Sequence, residues 1–300
     1  MANVAFLGTG IMGTAMIRNF LKGGHNVVAY NRTTEKARPL EADGARIAET
    51  AREAVAGADL IMSMIIDDNA SRACWTGPDG ALAGELAPGT LAIESSSVSR
   101  DWVLELGSAA TGAGLHFMDC PVAGRPDVAE AGELVVFAGG DPDHIDGARP
   151  ILEAISKTVT RFGPLGAGIS YKLIYNTTGA IQVAALAEGM YACEVVGIDL
   201  EVAAAAFTNG ATGSPHVSRH SKYMAFNAHE DPVQFSGKNR IKDLTYGIDL
   251  IEALGAQSVI GRATRDVFGQ MVGLDMGDLN DSELIDTLRV QLGGKQPPKG

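Results

Sequence analysis

Apolar positions run along this chain in two different rhythms. From Ala2 to about Phe162, short β-rich apolar runs alternate with helix-length stretches, the pattern of a parallel sheet covered by helices. The runs assigned to strands are Asn3 to Leu7, Asn26 to Tyr30, Leu60 to Met64, Leu91 to Glu94, His116 to Asp119, Leu134 to Ala138 and Thr158 to Phe162. After Gly168 the β signal fades, and long Ala-, Leu- and Val-rich segments at helical spacing take over, so this part is expected to be all helical. Gly163-Pro164-Leu165-Gly166-Ala167-Gly168 is the break between the two rhythms. The expected organisation is an α/β domain over residues 1–162, an all-helical domain over 163–292, and a mobile tail over 293–300 with no apolar anchor.

Composition narrows the function classes. A length of 300 residues suits two domains, and 46% apolar with 20% charged residues suits a soluble globular chain. The 24 basic and 36 acidic residues leave −12, a field that repels nucleic acid and anionic membrane surfaces. Cys74, Cys120 and Cys193 lie far apart and make neither a disulfide framework nor a zinc pattern, which points to a reducing, cytoplasmic compartment. The apolar start Val4 to Leu7 is cut short by Gly8 and Gly10, so no export leader is expected. The stretch Ile169 to Val196 is apolar, but Lys172, Asn176, Gln182, Glu188 and Glu194 interrupt it, and it reads as a buried core helix rather than a membrane span. His216, His220 and His229 are too scattered for a metal site, and no G-x-S-x-G elbow occurs.

Gly8-Thr9-Gly10-Ile11-Met12-Gly13 follows the first strand and opens a helix expected from Ile11 to Leu21, the context a dinucleotide-binding fingerprint requires. Gly8 makes the turn, Gly10 lets the backbone approach a pyrophosphate, Gly13 allows close packing of helix on sheet, and the phosphates rest on the helix N-terminus. At the end of the second strand an NAD-selective site carries Asp or Glu for the ribose hydroxyl. Here the chain has Asn31-Arg32-Thr33 instead. Arg32 can hold the 2′-phosphate of NADP, with Asn31 and Thr33 adding donors, so NADP(H) is expected in preference to NAD(H). The alternative is that Arg32 is a solvated turn residue.

Lys172 and Asn176 stand four residues apart on a helix and project from one face. Interconverting an alcohol and a carbonyl by hydride transfer needs one group that takes and returns the hydroxyl proton. A lysine serves if burial or a neighbouring cation lowers its pKa from about 10.4 toward about 7 to 8. Asn176 orients a substrate oxygen in that reading; the alternative is a snorkelling lysine beside an asparagine.

Together, Gly8 to Gly13 with His25 and Asn31-Arg32-Thr33, then Asp119-Cys120-Pro121-Val122, Gly163 to Asn176, and Lys242-Asp243-Leu244 resemble the β-hydroxyacid dehydrogenase family, related to 3-hydroxyisobutyrate dehydrogenase, across most of the chain. The resemblance implies a Rossmann domain and an all-α domain like that of 6-phosphogluconate dehydrogenase, opened by a long interdomain helix and assembled as homodimers or homotetramers. It makes Lys172 the catalytic acid/base and Asn176 a substrate ligand. It brings Lys242 to the cofactor and Ser96 or Ser97 to its nicotinamide half, Ser96 toward the substrate. Met64 and Ile65 line the cofactor at a strand end or else belong to the core. Lys242 can alternatively be an exposed lysine paired with Asp243 or Glu252.

After Pro-Val the family carries a serine and two glycines for the substrate carboxylate, whereas this chain has Ala123-Gly124-Arg125. A hydroxyl donor is lost and a guanidinium with five donors appears two positions later. Arg125 is therefore expected to bind an anionic group of the substrate, the alternative being a surface pair with Asp127 or Glu130. The expected activity is interconversion of a small 3-hydroxy acid and its semialdehyde or keto acid. The competing readings are an anionic-aldehyde reductase of the sulfolactaldehyde type using Arg125, an imine reductase, a decarboxylating sugar-acid dehydrogenase and a non-catalytic NADP-binding protein. Lys172 counts against the imine reductase, and the short helical domain against the larger sugar acid.

Overall fold

The computed structural model describes residues 1–291 and residue 293, so the tail expected at 293–300 lies, apart from Gly293, outside the described residues. The chain forms two compact units, Met1–Lys172 and Leu173–Gly300.

The first unit is a layered α/β structure. In chain order it contains β1 (Asn3–Leu7), α1 (Ile11–Lys22), β2 (Asn26–Tyr30), α2 (Thr34–Ala37), β3 (Arg46–Ala48), α3 (Ala51–Ala54), β4 (Leu60–Ser63), α4 (Asp68–Thr76), β5 (Leu91–Glu94) and α5 (Arg100–Gly112). It continues with β6 (His116–Asp119), β7 (Val122–Ala123), α6 (Pro126–Glu130), β8 (Leu134–Gly139), α7 (Pro142–Leu152) and β9 (Ser156–Gly163). The strand order is β3-β2-β1-β4-β5-β6-β8-β7, with β9 also paired to β8. Helices cover the central strands on both faces, so Val4 to Leu7 and Leu60 to Ser63 are buried at every position. That is why these strands read as continuous apolar runs rather than alternating ones. Phe6, Met16, Phe20, Met62 and Ile93 meet in the main core.

The sheet departs from the expected all-parallel arrangement. Strands β1 to β6 pair in parallel, but β8 runs antiparallel to β6 and β7. Residues 124–133 between β7 and β8 are too few for the crossover that parallel strands need, so the chain turns back on itself. Both β3, three residues long and opened by a charged Arg46, and the two-residue β7 are too short to leave an apolar signature. Strand β4 ends at Ser63, leaving Met64 just outside it, while β8 and β9 extend past their expected ends. Asp67 caps α4 by accepting the Ala70 N–H at 2.8 Å.

Helix α8 (Ala167–Val195, 29 residues) begins in the first unit and continues into the second. The second unit adds α9 (Leu200–Asn209), α10 (Pro215–Phe226), α11 (Gly237–Ala253), α12 (Val259–Gly273) and α13 (Leu284–Gln291). Leu186, Met190, Met224, Leu244, Phe268 and Leu284 form its core. At Gly247 of α11 a Cβ would collide with Thr177 Oγ1, so glycine lets α11 lie close against α8. The histidines join a polar network. His220 Nε2 lies 3.1 Å from Asp281 Oδ1, Arg240 binds the same carboxylate, and His229 contacts Ser282 Oγ at 2.7 Å. Burial opposes ionisation of Asp281, but Arg240 and His220 overcome it and hold the carboxyl far below the usual range. Among the described residues no group of His, Cys, Asp and Glu is arranged to hold a metal, and no helix is long and apolar enough to cross a membrane.

Candidate active site

The parallel strands β1, β2, β4, β5 and β6 end on one edge of the sheet, and the strand order reverses at β1, between β2 and β4. Open α/β sheets bind ligands at such a reversal, beyond the carboxyl ends of the strands. The glycine loop lies there. Gly8 has φ +107°, and a Cβ on it would collide with the Met64 carbonyl oxygen. A Cβ on Gly13 would collide with the Gly8 carbonyl oxygen, whereas Gly10 has nothing within 4 Å. Gly10 is also the N-cap of α1 and offers no side-chain cap, so the first amides of the helix, from Ile11, Met12 and Gly13, are left for an outside acceptor. Thr9 Oγ1 and Ser95 Oγ are buried without a hydrogen-bond partner. Open space at Gly10, uncapped amides and the orphaned Thr9 hydroxyl beside them fit a dinucleotide phosphate.

Asn31 braces this loop. Its Oδ1 accepts the Thr9 N–H at 3.3 Å and its Nδ2 donates to the Thr33 carbonyl at 2.9 Å. Asn31 is thus engaged at both ends of its amide by the protein itself. Arg32 and Thr33 are exposed; Arg32 forms no ion pair among the described residues, and Thr33 makes no side-chain cap at α2.

The turns after β4 and β5 are tied together. The Ile65 N–H donates to Ser96 Oγ at 2.7 Å, and the Ser96 N–H donates to Glu94 Oε1 at 2.9 Å. Ser96 is fully buried and serves the scaffold with its lone pairs, while Ser97 is half-buried. Met64 packs on the main core, although its carbonyl lines Gly8.

Asp119, at the end of β6, fixes the start of α8. Its Oδ1 accepts the Gly166 N–H at 2.7 Å and its Oδ2 the Ile169 N–H at 2.6 Å. Burial pushes this carboxyl up to about 6, against backbone amides that favour the charged form. A carboxylate at a helix N-terminus satisfies amides that have no intrahelical partner. One helical turn further on is Lys172, half-buried. From β6 the chain also enters the loop with Ala123, Gly124 and Arg125. Gly124 has φ +146° and no room for a side chain beside Leu134. Arg125 Nε pairs with Asp127 Oδ1 at 3.2 Å, with 29% of the arginine side chain exposed.

In the second unit Asn176 is buried, and its Nδ2 donates to Asp243 Oδ2 at 2.7 Å. Lys242 Nζ stands 3.0 Å from Asp243 Oδ1 and 5.5 Å from the Tyr246 ring centroid. Its side chain is 21% exposed, so the pair with Asp243 exists but is not a solvated surface pair. Sequence reasoning missed three acids: Glu94, Asp119 and Asp243. Asp119 and Asp243 sit inside motifs already singled out, and a carboxylate in an apolar strand end was the available signal for Glu94 and Asp119.

Comparison with known proteins agrees with this geometry. Residues 3–163 match the family described as the NAD binding domain of 6-phosphogluconate dehydrogenase, and residues 166–288 the one described as the NAD-binding of NADP-dependent 3-hydroxyisobutyrate dehydrogenase. The chain is 28% identical to glyoxylate/succinic semialdehyde reductase 2, chloroplastic, of Arabidopsis thaliana, over 96% of this chain and 79% of that one. A solved 3-hydroxyisobutyrate dehydrogenase of Mycobacterium tuberculosis with L-serine superposes with a TM-score of 0.87 at 30% identity, covering 96% of this chain and 99% of the other. Psf3, solved with NADP+ and 2-OPP, gives 0.84 at 25% identity, covering 95% and 99%. The chain belongs to the 3-hydroxyisobutyrate dehydrogenase-like, or β-hydroxyacid dehydrogenase, family of NAD(P)-dependent oxidoreductases.

Proposed function

We propose that the protein is an NADP(H)-preferring oxidoreductase that interconverts a small 3-hydroxy acid and its semialdehyde or keto acid, with Lys172 as the acid/base. The observation that carries this reading is the clamp of Asp119 on the first amides of α8, which fixes Lys172 one turn beyond the strand edge where the glycine loop lies. The bound nicotinamide supplies or accepts the hydride. In the oxidation Lys172 takes the proton of the substrate hydroxyl, and in the reduction it returns one to the carbonyl oxygen. Asn176 holds that oxygen, and Arg125 holds the substrate's anionic group by a charge-assisted contact. Arg32, exposed and without an ion pair among the described residues, is available to the 2′-phosphate of NADP. The Arabidopsis relative is named for reduction of glyoxylate and succinic semialdehyde, both small anionic aldehydes, in keeping with this substrate class.

The working form proposed is a homodimer or homotetramer, as the family resemblance implies; Val195, Val196 and Val202, each more than 60% exposed, are apolar surface that such an association would cover. Light scattering on the purified chain checks that. The function itself is tested by initial rates of NADP+ and NAD+ reduction with a panel of 3-hydroxy acids, beside Lys172→Ala and Arg32→Ala. Lys172→Ala should lose about 100-fold or more in turnover, and Arg32→Ala should lose its preference for NADP+. Unimpaired turnover in Lys172→Ala would refute the acid/base assignment.

A further inference from the structure

Glu94 ends β5 directly before the turn Ser95-Ser96-Ser97, and it is buried without a salt bridge among the described residues. A carboxylate out of water must be saturated by donors or paired with a cation, and here every neighbour donates. Oε1 accepts the Ser96 N–H at 2.9 Å, while Oε2 accepts the Ser71 hydroxyl at 2.6 Å and, at 3.2 Å, a share of the Trp75 Nε1–H, which also donates to Ser63 Oγ at 3.0 Å. Trp102 Nε1 donates to Ser71 Oγ at 2.8 Å. An indole nitrogen only donates, so Ser71 is the acceptor there and its single proton goes to Glu94. Ser96 in turn accepts the Ile65 N–H at 2.7 Å. One carboxylate therefore joins α4, which carries Ser71 and Trp75, and α5, which carries Trp102, to the turns after β4 and β5. Both tryptophans of the chain are in this network.

We propose that Glu94 is a positioning residue for the nicotinamide end of the cofactor, setting the turns that carry Ser96 and Ile65. The inference rests on the proposed function and on the expected place of Ser96 or Ser97 at the nicotinamide half; the turns that carry Ile65 and Ser96 follow β4 and β5 on the strand edge where Gly8 meets the Met64 carbonyl and Ile65. A carboxylate that takes one hydrogen from the Ser96 amide and another from the Ser71 hydroxyl, with part of the Trp75 N–H, leaves Ser96 a single place to lie, which an apolar residue of the same volume would not. Glu94→Gln keeps one carbonyl acceptor for Ser96, and its new amide can donate to Ser71, so it should act as a partial rescue. Glu94→Ala strands the Ser96 amide and removes the acceptor altogether.

The test compares each cofactor with its counterpart lacking nicotinamide, NADP+ with 2′-phospho-ADP-ribose and NAD+ with ADP-ribose, by calorimetric titration of wild type, Glu94→Gln, Glu94→Ala and Trp75→Phe. The expected result is a loss of about 10-fold in affinity for the whole cofactor in Glu94→Ala, less in Glu94→Gln, and a change under about 2-fold for the truncated ligands. Tryptophan emission of the wild type should shift with NADP+ and not with 2′-phospho-ADP-ribose. Equal losses for both members of a pair would make Glu94 a general structural residue and overturn the inference, as would no loss at all. Should Glu94→Ala fail to fold, Glu94→Gln and Trp75→Phe decide by the same ratio. Wild type that binds neither member of either pair would sink the cofactor reading itself, visible before any variant is measured.

Discussion

If Asn176 is the substrate ligand proposed above, Asp243 determines what it can offer. A carboxylate has no proton to give, so the atom of Asn176 that faces it must be the amide nitrogen, at 2.7 Å. The carbonyl of Asn176 is thereby turned away from Asp243, which in the proposed role leaves it as the acceptor for the substrate hydroxyl. Asp243→Asn gives position 243 a donor as well as an acceptor and lets the Asn176 amide reverse. The expected outcome is a fall of about 10-fold in kcat/KM for the hydroxy acid, the equivalent of one charge-assisted hydrogen bond, with unfolding temperature little changed. Steady-state rates check it, and an unaltered kcat/KM would separate Asp243 from the site. Arg125 has its own carboxylate to contend with, since Asp127 pairs with its Nε at 3.2 Å. If Arg125 binds the substrate anion, Asp127 competes for it. Arg125→Ala should then raise KM about 10-fold or more, whereas Asp127→Asn should lower it about 2-fold. A KM that moves in neither variant leaves Arg125 as the surface ion pair that the sequence equally allowed.

At the scale of elements, the strands were legible because burial on both faces writes itself into the chain as a continuous apolar run, as at Val4 to Leu7 and Leu60 to Ser63. The antiparallel turn-back at β7 and β8 was not, because Val122–Ala123 is too short to carry a pattern. The start of α8 illustrates a different limit: its glycines were readable, but its anchor is a carboxylate 47 residues earlier in the chain. Asp119→Asn turns one of the two acceptors facing the α8 amides into a donor. Lys172 sits on the turn so displaced, and kcat should fall about 10-fold or more. The same group gives a pH signature. Unfolded, this carboxyl loses its proton near 3.8, and in the fold only near 6. In that interval the folded state holds the extra proton, so stability declines as pH rises, by up to about 3 kcal/mol, and is at its fullest below the lower value. Urea unfolding of wild type and Asp119→Asn at pH 4.5 and 7 should show the stability of wild type relative to the variant declining as pH rises; a difference that stays constant would mean that Asp119 stays ionised throughout.

For the whole molecule, local motifs were legible and long-range pairings were not. The glycine loop is one continuous stretch whose spacing dictates its own geometry, and Lys172 with Asn176 is one helical turn. By contrast the partner of Asn176 lies 67 residues away, and that of His220 is 61 residues away in Asp281, distances over which no periodicity speaks. Of the histidines set aside in sequence as scattered, His220 and His229 join buried polar groups in the second unit, with the His216 ring tilted against that of His220, and there part of the acid response of the chain is expected to lie. His216 Nε2 is buried without a hydrogen-bond partner among the described residues. Burial first, then the neighbouring His220 and Arg240, lower its pKa to about 3 from 6.5. Below 6.5 the unfolded histidine takes up a proton that the folded one refuses until about 3, so stability is lost as pH falls through that window. Between pH 7 and 5 the loss is at most about 2 kcal/mol. This runs opposite in sign to Asp119, which gains stability over part of the same interval, so the two effects offset each other in a global measurement and each must be read against its own variant. His216→Gln keeps a polar side chain of similar reach and does not titrate. Its unfolding free energy relative to wild type should therefore improve steadily from pH 7 to pH 5, while a difference that stays constant over that range would mean His216 takes up its proton in the folded state as readily as in the unfolded one.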